Sequence, residues 1–235
     1  HGLEFSVYDV LMHGAPVEAV RQRAPHAGFD VIPANADLTA AEVELVTASV
    51  REHRLRDALA RVKHDYDYAL IDCPPSLNML TVNALVAADS VLIPVQCEYY
   101  ALEGLSSLLN TVTRVQKMLN PQLRIEGLLR TMYDARNSLT NEVSMQLIQH
   151  FGSRVYATLI PRNVRLAEAP SHGMPALVYD AASRGAIAYL AAAATMAGLV
   201  WLWAGALSEL IRPVFTWTSM LGEPRPSVIG PVTDG

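Results

Sequence analysis

Residues 65–77 read Asp-Tyr-Asp-Tyr-Ala-Leu-Ile-Asp-Cys-Pro-Pro-Ser-Leu, an apolar run that closes on one acid and then breaks at two prolines. Tyr68 to Ile71 suit a strand buried on both faces, the kind found in parallel sheets. Asp72 falls at that strand's carboxyl end, where open α/β sheets place their ligand chemistry. Pro74 and Pro75 lack N–H donors and fix φ, so the chain is expected to leave the sheet there. An acid so placed commonly holds Mg²⁺, often through water, beside a nucleotide phosphate. An acid that merely caps the next turn is the alternative, and strand plus acid alone do not choose between them.

Outward from this phrase, apolar runs with strand character alternate with stretches of helical spacing. Short helices are expected at Phe5 to Met12 and Pro16 to Arg21, split by Gly14-Ala-Pro. A strand over Phe29 to Pro33 follows, then helices over Leu38 to Leu45, with Asp37 as N-cap, and Leu55 to Val62. After Asp72 come a helix near Thr81 to Ala87 and a strand over Val91 to Val95. Leu102, Leu105, Leu109, Val112 and Val115 recur at helical intervals and predict a long amphipathic helix over Ala101 to Leu119, ended by Asn120-Pro121. Arg124 to Met132 is the next strand, Leu139 to Phe151 a helix, and Val155 to Ile160 a strand. This alternation predicts an α/β fold with a mostly parallel sheet and helices on both faces.

The length of 235 residues is enough for one domain with a substantial core, and half the residues are apolar. With 18 basic and 23 acidic residues, net charge does not announce nucleic acid, so any DNA surface must be a local patch. Cys73 and Cys97 have no metal-ligand spacing and imply no disulfide framework, which suits a reduced cytoplasmic setting.

The phrase ending at Asp72 resembles the second nucleotide motif of the ParA/Soj/MinD family, the deviant-Walker P-loop ATPases that partition chromosomes and plasmids. Further stretches resemble it in the same order: Ser90 to Leu105 (SVLIPVQCEYYALEGL), Gly127 to Arg136 (GLLRTMYDAR) and Ile160 to Gly173 (IPRNVRLAEAPSHG). The resemblance runs from about Phe5 to about Leu190 and is closer to the chromosome-partitioning branch. It implies a P-loop NTPase-like fold over residues 1–190, lacking the first strand and the Gly-rich phosphate loop with its two lysines. The chain is therefore expected to begin inside the family's domain, leaving unpaired strand edges and poor solubility. Without such a loop, ATP hydrolysis by this chain alone is not expected.

Within that resemblance, Asp72 corresponds to the Mg²⁺-side acid, and Pro161 and Asn163 to adenine contacts, with Arg162 beside them. A proline offers a flat apolar face to a base, and an amide can pair with its edge. A strand-to-helix turn with an Asn cap remains the alternative. Arg136 and Arg165 resemble the family's DNA-contact arginines, which would give salt-sensitive, sequence-independent affinity. Solvated surface arginines are the alternative, and Arg130 and Arg162 would enlarge the patch. A cluster-binding role for the two cysteines, as in the nitrogenase iron protein of the same superfamily, is the weaker reading beside ordinary thiols. His172 stands in the family phrase without a role that its chemistry suggests.

From Gly185 to Ser208 no residue is charged, and the chain's tryptophans, Trp201, Trp203 and Trp217, all lie in this last part. Residues 191–235 are read as an atypical apolar helix and a disordered tail. The helix could be the family's C-terminal helix on the sheet, a membrane span or membrane-lying helix over 185–211, or a tail of foreign origin.

The function so implied is an ATP-dependent partitioning switch with Mg²⁺. Its dimer would bind nonspecific DNA on the nucleoid under control of a ParB-type partner. A non-enzymatic DNA- or partner-binding relative and a MinD-like membrane-associated positioning ATPase are the alternatives.

Overall fold

The computed structural model describes residues 5–24, 29–73, 78–99 and 101–204, with side-chain surroundings to residue 196. The expected exit at Pro74-Pro75, the residues 205–211 of the apolar run, Trp217 and the tail lie outside the described residues. The chain divides into two compact units, one with described residues up to Ala88 and one from Asp89 onward.

The first unit is mainly helical. Ser6 starts α1 (Val7–His13): its Oγ accepts from the Tyr8 amide at 3.2 Å, and its own amide donates to the Asp9 carboxylate at 2.8 Å. Gly14 ends α1 at φ 68°, a left-handed conformation that a side chain would resist. After α2 (Val17–Val20) comes a two-residue antiparallel ladder between β1 (Gln22–Arg23) and β2 (Asp30–Val31). The strand expected at 29–33 is thus shorter and belongs to a hairpin rather than to the parallel sheet. Its partner, Gln22–Arg23, is too short and polar to signal a strand.

Helix α3 (Leu38–Thr47) begins where expected, but Asp37 does not cap it through its side chain; that carboxylate accepts from Asn35 Nδ2 at 2.7 Å. Helices α4 (Arg54–Leu59) and α5 (Met79–Ala87) are joined by the fully buried Asn83. Its Oδ1 accepts from the Leu55 amide at 3.3 Å, and its Nδ2 donates to the Arg51 carbonyl at 2.7 Å. An amide with its donors and acceptor thus engaged is what a dry position tolerates. Around it Val10, Leu11, Val17, Val20, Leu55, Leu59, Val62, Tyr66 and Ala84 form the core.

The expected strand at 68–71 does not form: only Leu70 makes an isolated bridge. A strand exists through ladder bonds to neighbours, which an apolar run cannot supply by itself. Ile71 and Cys73 instead pack against the core of this unit.

The second unit follows the expected alternation closely: β3 (Ser90–Gln96), α6 (Ala101–Met118), β4 (Arg124–Tyr133), α7 (Ser138–Phe151), β5 (Val155–Pro161), α8 (Val164–Glu168), α9 (Ala176–Tyr179) and α10 (Arg184–Ala204). The three strands are parallel, in the order β3-β4-β5. Side chains alternate across the sheet. Leu129 joins Leu92, Tyr156, Ile160 and Ala192 on the face covered by α10, whereas its neighbour Arg130 bonds Ser144 of α7. The sheet therefore carries helices on both faces. Gly127 is required where the Tyr156 ring crosses β4, since a Cβ there would stand 2.6 Å from Tyr156 Cε2.

Helix α10 answers part of the question posed by the apolar run. It packs on the sheet through Ala188, Tyr189, Ala192 and Met196, and it continues unbroken past residue 190. None of the described helices is long and apolar enough to cross a membrane.

Candidate nucleotide and DNA site

The carboxyl edge of the parallel sheet gathers most of the residues singled out by sequence. Register pairs Tyr133 at the end of β4 with Pro161 at the end of β5. The Arg162 amide then donates to the Tyr133 carbonyl at 3.0 Å. Two loops, 134–137 and 161–165, are thereby held side by side.

The first loop is built from its own polar groups. Tyr133 Oη donates to Asn141 Oδ1 at 2.6 Å, and Asn141 Nδ2 donates to the Ala135 carbonyl at 3.0 Å, fastening the loop to α7. Asn137 caps α7, its Oδ1 accepting from the Leu139 amide at 3.0 Å. The Arg136 guanidinium grips the Asp134 carboxylate with contacts of 2.9 and 2.8 Å while its side chain stays 90% exposed. These bonds, with the Arg136 amide and the charge of Arg162 adding to them, hold the Asp134 carboxyl down at about 2.

In the second loop, Asn163 caps α8 by accepting from the Arg165 amide at 2.8 Å. The capping alternative for Asn163 is therefore realised, but it uses only Oδ1. Arg165 is half-exposed and pairs with Glu168 at 2.9 Å and with Asp180 at 3.4 Å. Tyr179 donates to Glu168 at 3.3 Å and stacks on His172, with ring centroids 4.8 Å apart, giving that histidine a packing role. Gly173 turns the chain at φ 63°, a left-handed conformation that glycine accepts without strain.

Arg136 and Arg165 are thus surface cations, each facing carboxylates rather than standing bare. Exposed pairs of this kind are weak because solvent screens them, so a phosphate can compete for either arginine. Arg130 corrects an expectation. It is buried, with Nη1 donating to Ser144 Oγ at 2.8 Å and Nη2 to the Tyr156 and Ala157 carbonyls at 3.0 and 3.1 Å. The strand alternation turns it under α7, and it cannot enlarge a surface patch.

Asp72 lies in the first unit, exposed, between half-buried Ile71 and Cys73. Burial, then the Asp72 charge, pushes the Cys73 thiol up to about 12, and burial raises that of Cys97 as well. Both cysteines are free, and no cluster of three or more metal-ligating side chains occurs among the described residues. One open carboxylate fits Mg²⁺ only as a partner to waters and phosphate oxygens. On the base side, Pro161 and the spare Asn163 Nδ2 fit an adenine. On the phosphate side, neither Lys63 nor Lys117, the chain's two lysines, stands in a Gly-rich loop.

Sequence reasoning missed Asp134, Tyr133, Asn141, Glu168 and Asp180, which set the posture of the two arginines. An Asp two residues before an Arg was a readable sign of a local Asx turn.

An AAA domain family matches residues 1–125. The sporulation initiation inhibitor protein Soj of Bacillus subtilis is 57% identical over 188 residues, covering 80% of this chain and 74% of that protein. The chain belongs to the ParA/Soj family of partitioning ATPases. The chromosome partitioning protein ParA of Caulobacter vibrioides agrees, at 53% identity over 79% of this chain and 70% of the relative. Among solved structures, cobyrinic acid a,c-diamide synthase from Mycobacterium smegmatis with bound ADP and magnesium matches at a TM-score of 0.71 and 35% identity, covering 87% of this chain and 75% of that one. McdA of Cyanothece in complex with ATP matches at a TM-score of 0.75, covering 90% of this chain and 79% of that one; at 15% identity it speaks to the fold alone. The fold is that of P-loop NTPases, and this ParA/Soj-family chain carries it over both described units.

Proposed function

We propose that the chain acts as a ParA/Soj-type partitioning ATPase: an ATP-dependent dimer that binds nonspecific DNA on the nucleoid and is regulated by a ParB-type partner. The Arg162–Tyr133 backbone bond carries this reading. It sets Pro161, Arg162 and Asn163, which would hold the base, on the same sheet edge as Arg136 and Arg165, which would hold DNA phosphates. Asp72, in the first unit, would take Mg²⁺ through water. When bound, Mg²⁺–ATP supplies the binding free energy that shifts such a switch between its states. The residues of the chain bind and orient: Pro161 by its flat face, Asn163 by Nδ2, and the arginines by charge.

The test is equilibrium binding of a fluorescent ATP analogue with Mg²⁺ to the full 235-residue chain. Asn163→Ala is expected to weaken binding about tenfold through lost base contact, and Asp72→Asn to remove the Mg²⁺ dependence. Equal binding by all three chains would defeat the assignment. DNA binding indifferent to ATP would instead support a relative that binds DNA without nucleotide.

A further inference from the structure

Between Arg130 and Tyr133 the β4–β5 ladder slips. Arg130 faces Leu159 and Tyr133 faces Pro161, so three steps along β4 match two along β5. Met132 sits in this slip with φ 52°, a left-handed backbone uncommon outside glycine. It is 43% exposed, and the β3–β4 pairing ends one residue earlier, at Thr131. This is a β-bulge, which adds one residue to one strand and re-aims the residues beyond it. It is not a fraying end, because pairing resumes at Tyr133 and is extended by the Arg162 amide.

We propose that Met132 is a positioning residue whose bulge sets the phase of the 134–137 loop against the 161–165 loop. Side chains along a strand alternate, so one residue more or less exchanges the faces of everything downstream. With the bulge, the Tyr133 carbonyl meets the Arg162 amide, the Tyr133 hydroxyl reaches Asn141, and Asp134 and Arg136 close on each other at the exposed edge. Without it, two steps from Arg130 bring Met132 opposite Pro161, Tyr133 and Asp134 move one place on, and the Arg136 turn is re-aimed. The backbone conformation at 132 therefore decides whether Arg136 shares an edge with Pro161, Asn163 and Arg165. This deepens the proposed function and rests on it for the DNA readout alone.

The experiment compares the full chain with Met132→Gly, Met132→Val and deletion of Met132, after confirming folding by circular dichroism. Hydrogen exchange at the Arg162 amide reports the bulge directly, and binding to a random-sequence duplex at low salt reports the edge. Glycine accepts positive φ, so Met132→Gly is expected to keep Arg162 protection and to hold DNA affinity within about twofold. Deletion leaves two steps on each strand between Arg130 and Tyr133, so it is expected to keep both within about twofold. Valine resists positive φ while keeping the extra residue, so Met132→Val is expected to speed Arg162 exchange about tenfold or more and to weaken duplex binding. Wild-type Arg162 protection in Met132→Val, or its loss in Met132→Gly, would overturn the proposal. If the wild-type chain binds no duplex, the DNA reading fails, and Arg162 exchange still decides the role of Met132.

Discussion

Arg136 closes on Asp134 through paired contacts of 2.9 and 2.8 Å, and the Arg136 amide donates to the same carboxylate at 3.1 Å. The arginine matched to DNA contact is therefore held in a fixed posture, with its charge partly offset, at the exposed end of β4. Asp134→Asn removes the offset without removing the turn. Duplex affinity at low salt should rise several-fold, while Arg136→Gln should lower it and reduce the salt slope by about 1. Fluorescence anisotropy across a salt series measures both.

The pH dependence of that pair is set by its sign. The Asp134 carboxyl is depressed to about 2 by Arg136. Any stabilisation it gives is present above the unfolded carboxylate value of about 3.9 and is lost as pH falls toward 2. An NMR titration of the Asp134 carboxyl should show no midpoint between pH 3 and 8, and Arg136→Gln should return the midpoint toward its ordinary value.

Tyr66 runs the opposite way. Its hydroxyl donates to Asp30 at 2.5 Å and accepts from Arg21 at 2.6 Å. Burial, then Asp30, lifts it to about 12. Its contribution is complete below about pH 10 and is lost as pH rises through the folded value. Absorbance titration near 295 nm should find a group of late-ionising tyrosines that includes buried Tyr156, and Tyr66→Phe should reduce its amplitude by one tyrosine.

Buried Arg130 is a structural cation. Arg130→Gln leaves the Tyr156 and Ala157 carbonyls without their donor and should cost about 2–4 kcal/mol in urea unfolding. Ser144→Ala removes one bond to the guanidinium and should cost about 1–2 kcal/mol. Neither should change the salt slope of DNA binding, since neither group reaches the surface.

Two glycines with opposite surroundings give a paired test of packing. At Gly127 a Cβ would stand 2.6 Å from the Tyr156 ring and 2.9 Å from the Arg154 carbonyl, so Gly127→Ala should destabilise by about 1–3 kcal/mol. At Gly104 in α6 nothing lies within 4 Å, and Gly104→Ala should stabilise by about 0.5–1 kcal/mol. Thermal melts of the two variants check both signs.

The second unit was legible because its signals are local and periodic. Leu105, Val112 and Val115 mark the buried stripe of α6, and Asn120-Pro121 marks its end. The first unit was less so. The segment ending at Asp72 reads as a strand by its apolar run, yet a ladder requires a neighbour and only Leu70 bridges. At the site, Arg136 and Arg165 stood out by resemblance, but their carboxylate partners did not. Glu168 lies one turn along α8 from Arg165, but Asp180 reaches it only after Gly173 turns the chain back through α9. Arg130 was misplaced because a one-residue step in strand phase separates the solvent-facing loop from the underside of α7.

The most direct test of the central claim is the binding of the full chain to a random-sequence duplex between about 50 and 200 mM salt, with and without Mg²⁺–ATP. Wild type is compared with the double variant Arg136→Gln, Arg165→Gln. Sequence-independent binding that strengthens with nucleotide is expected, with a salt slope that falls by about 2 in the double variant. A slope unchanged by removing both arginines would contradict the claim.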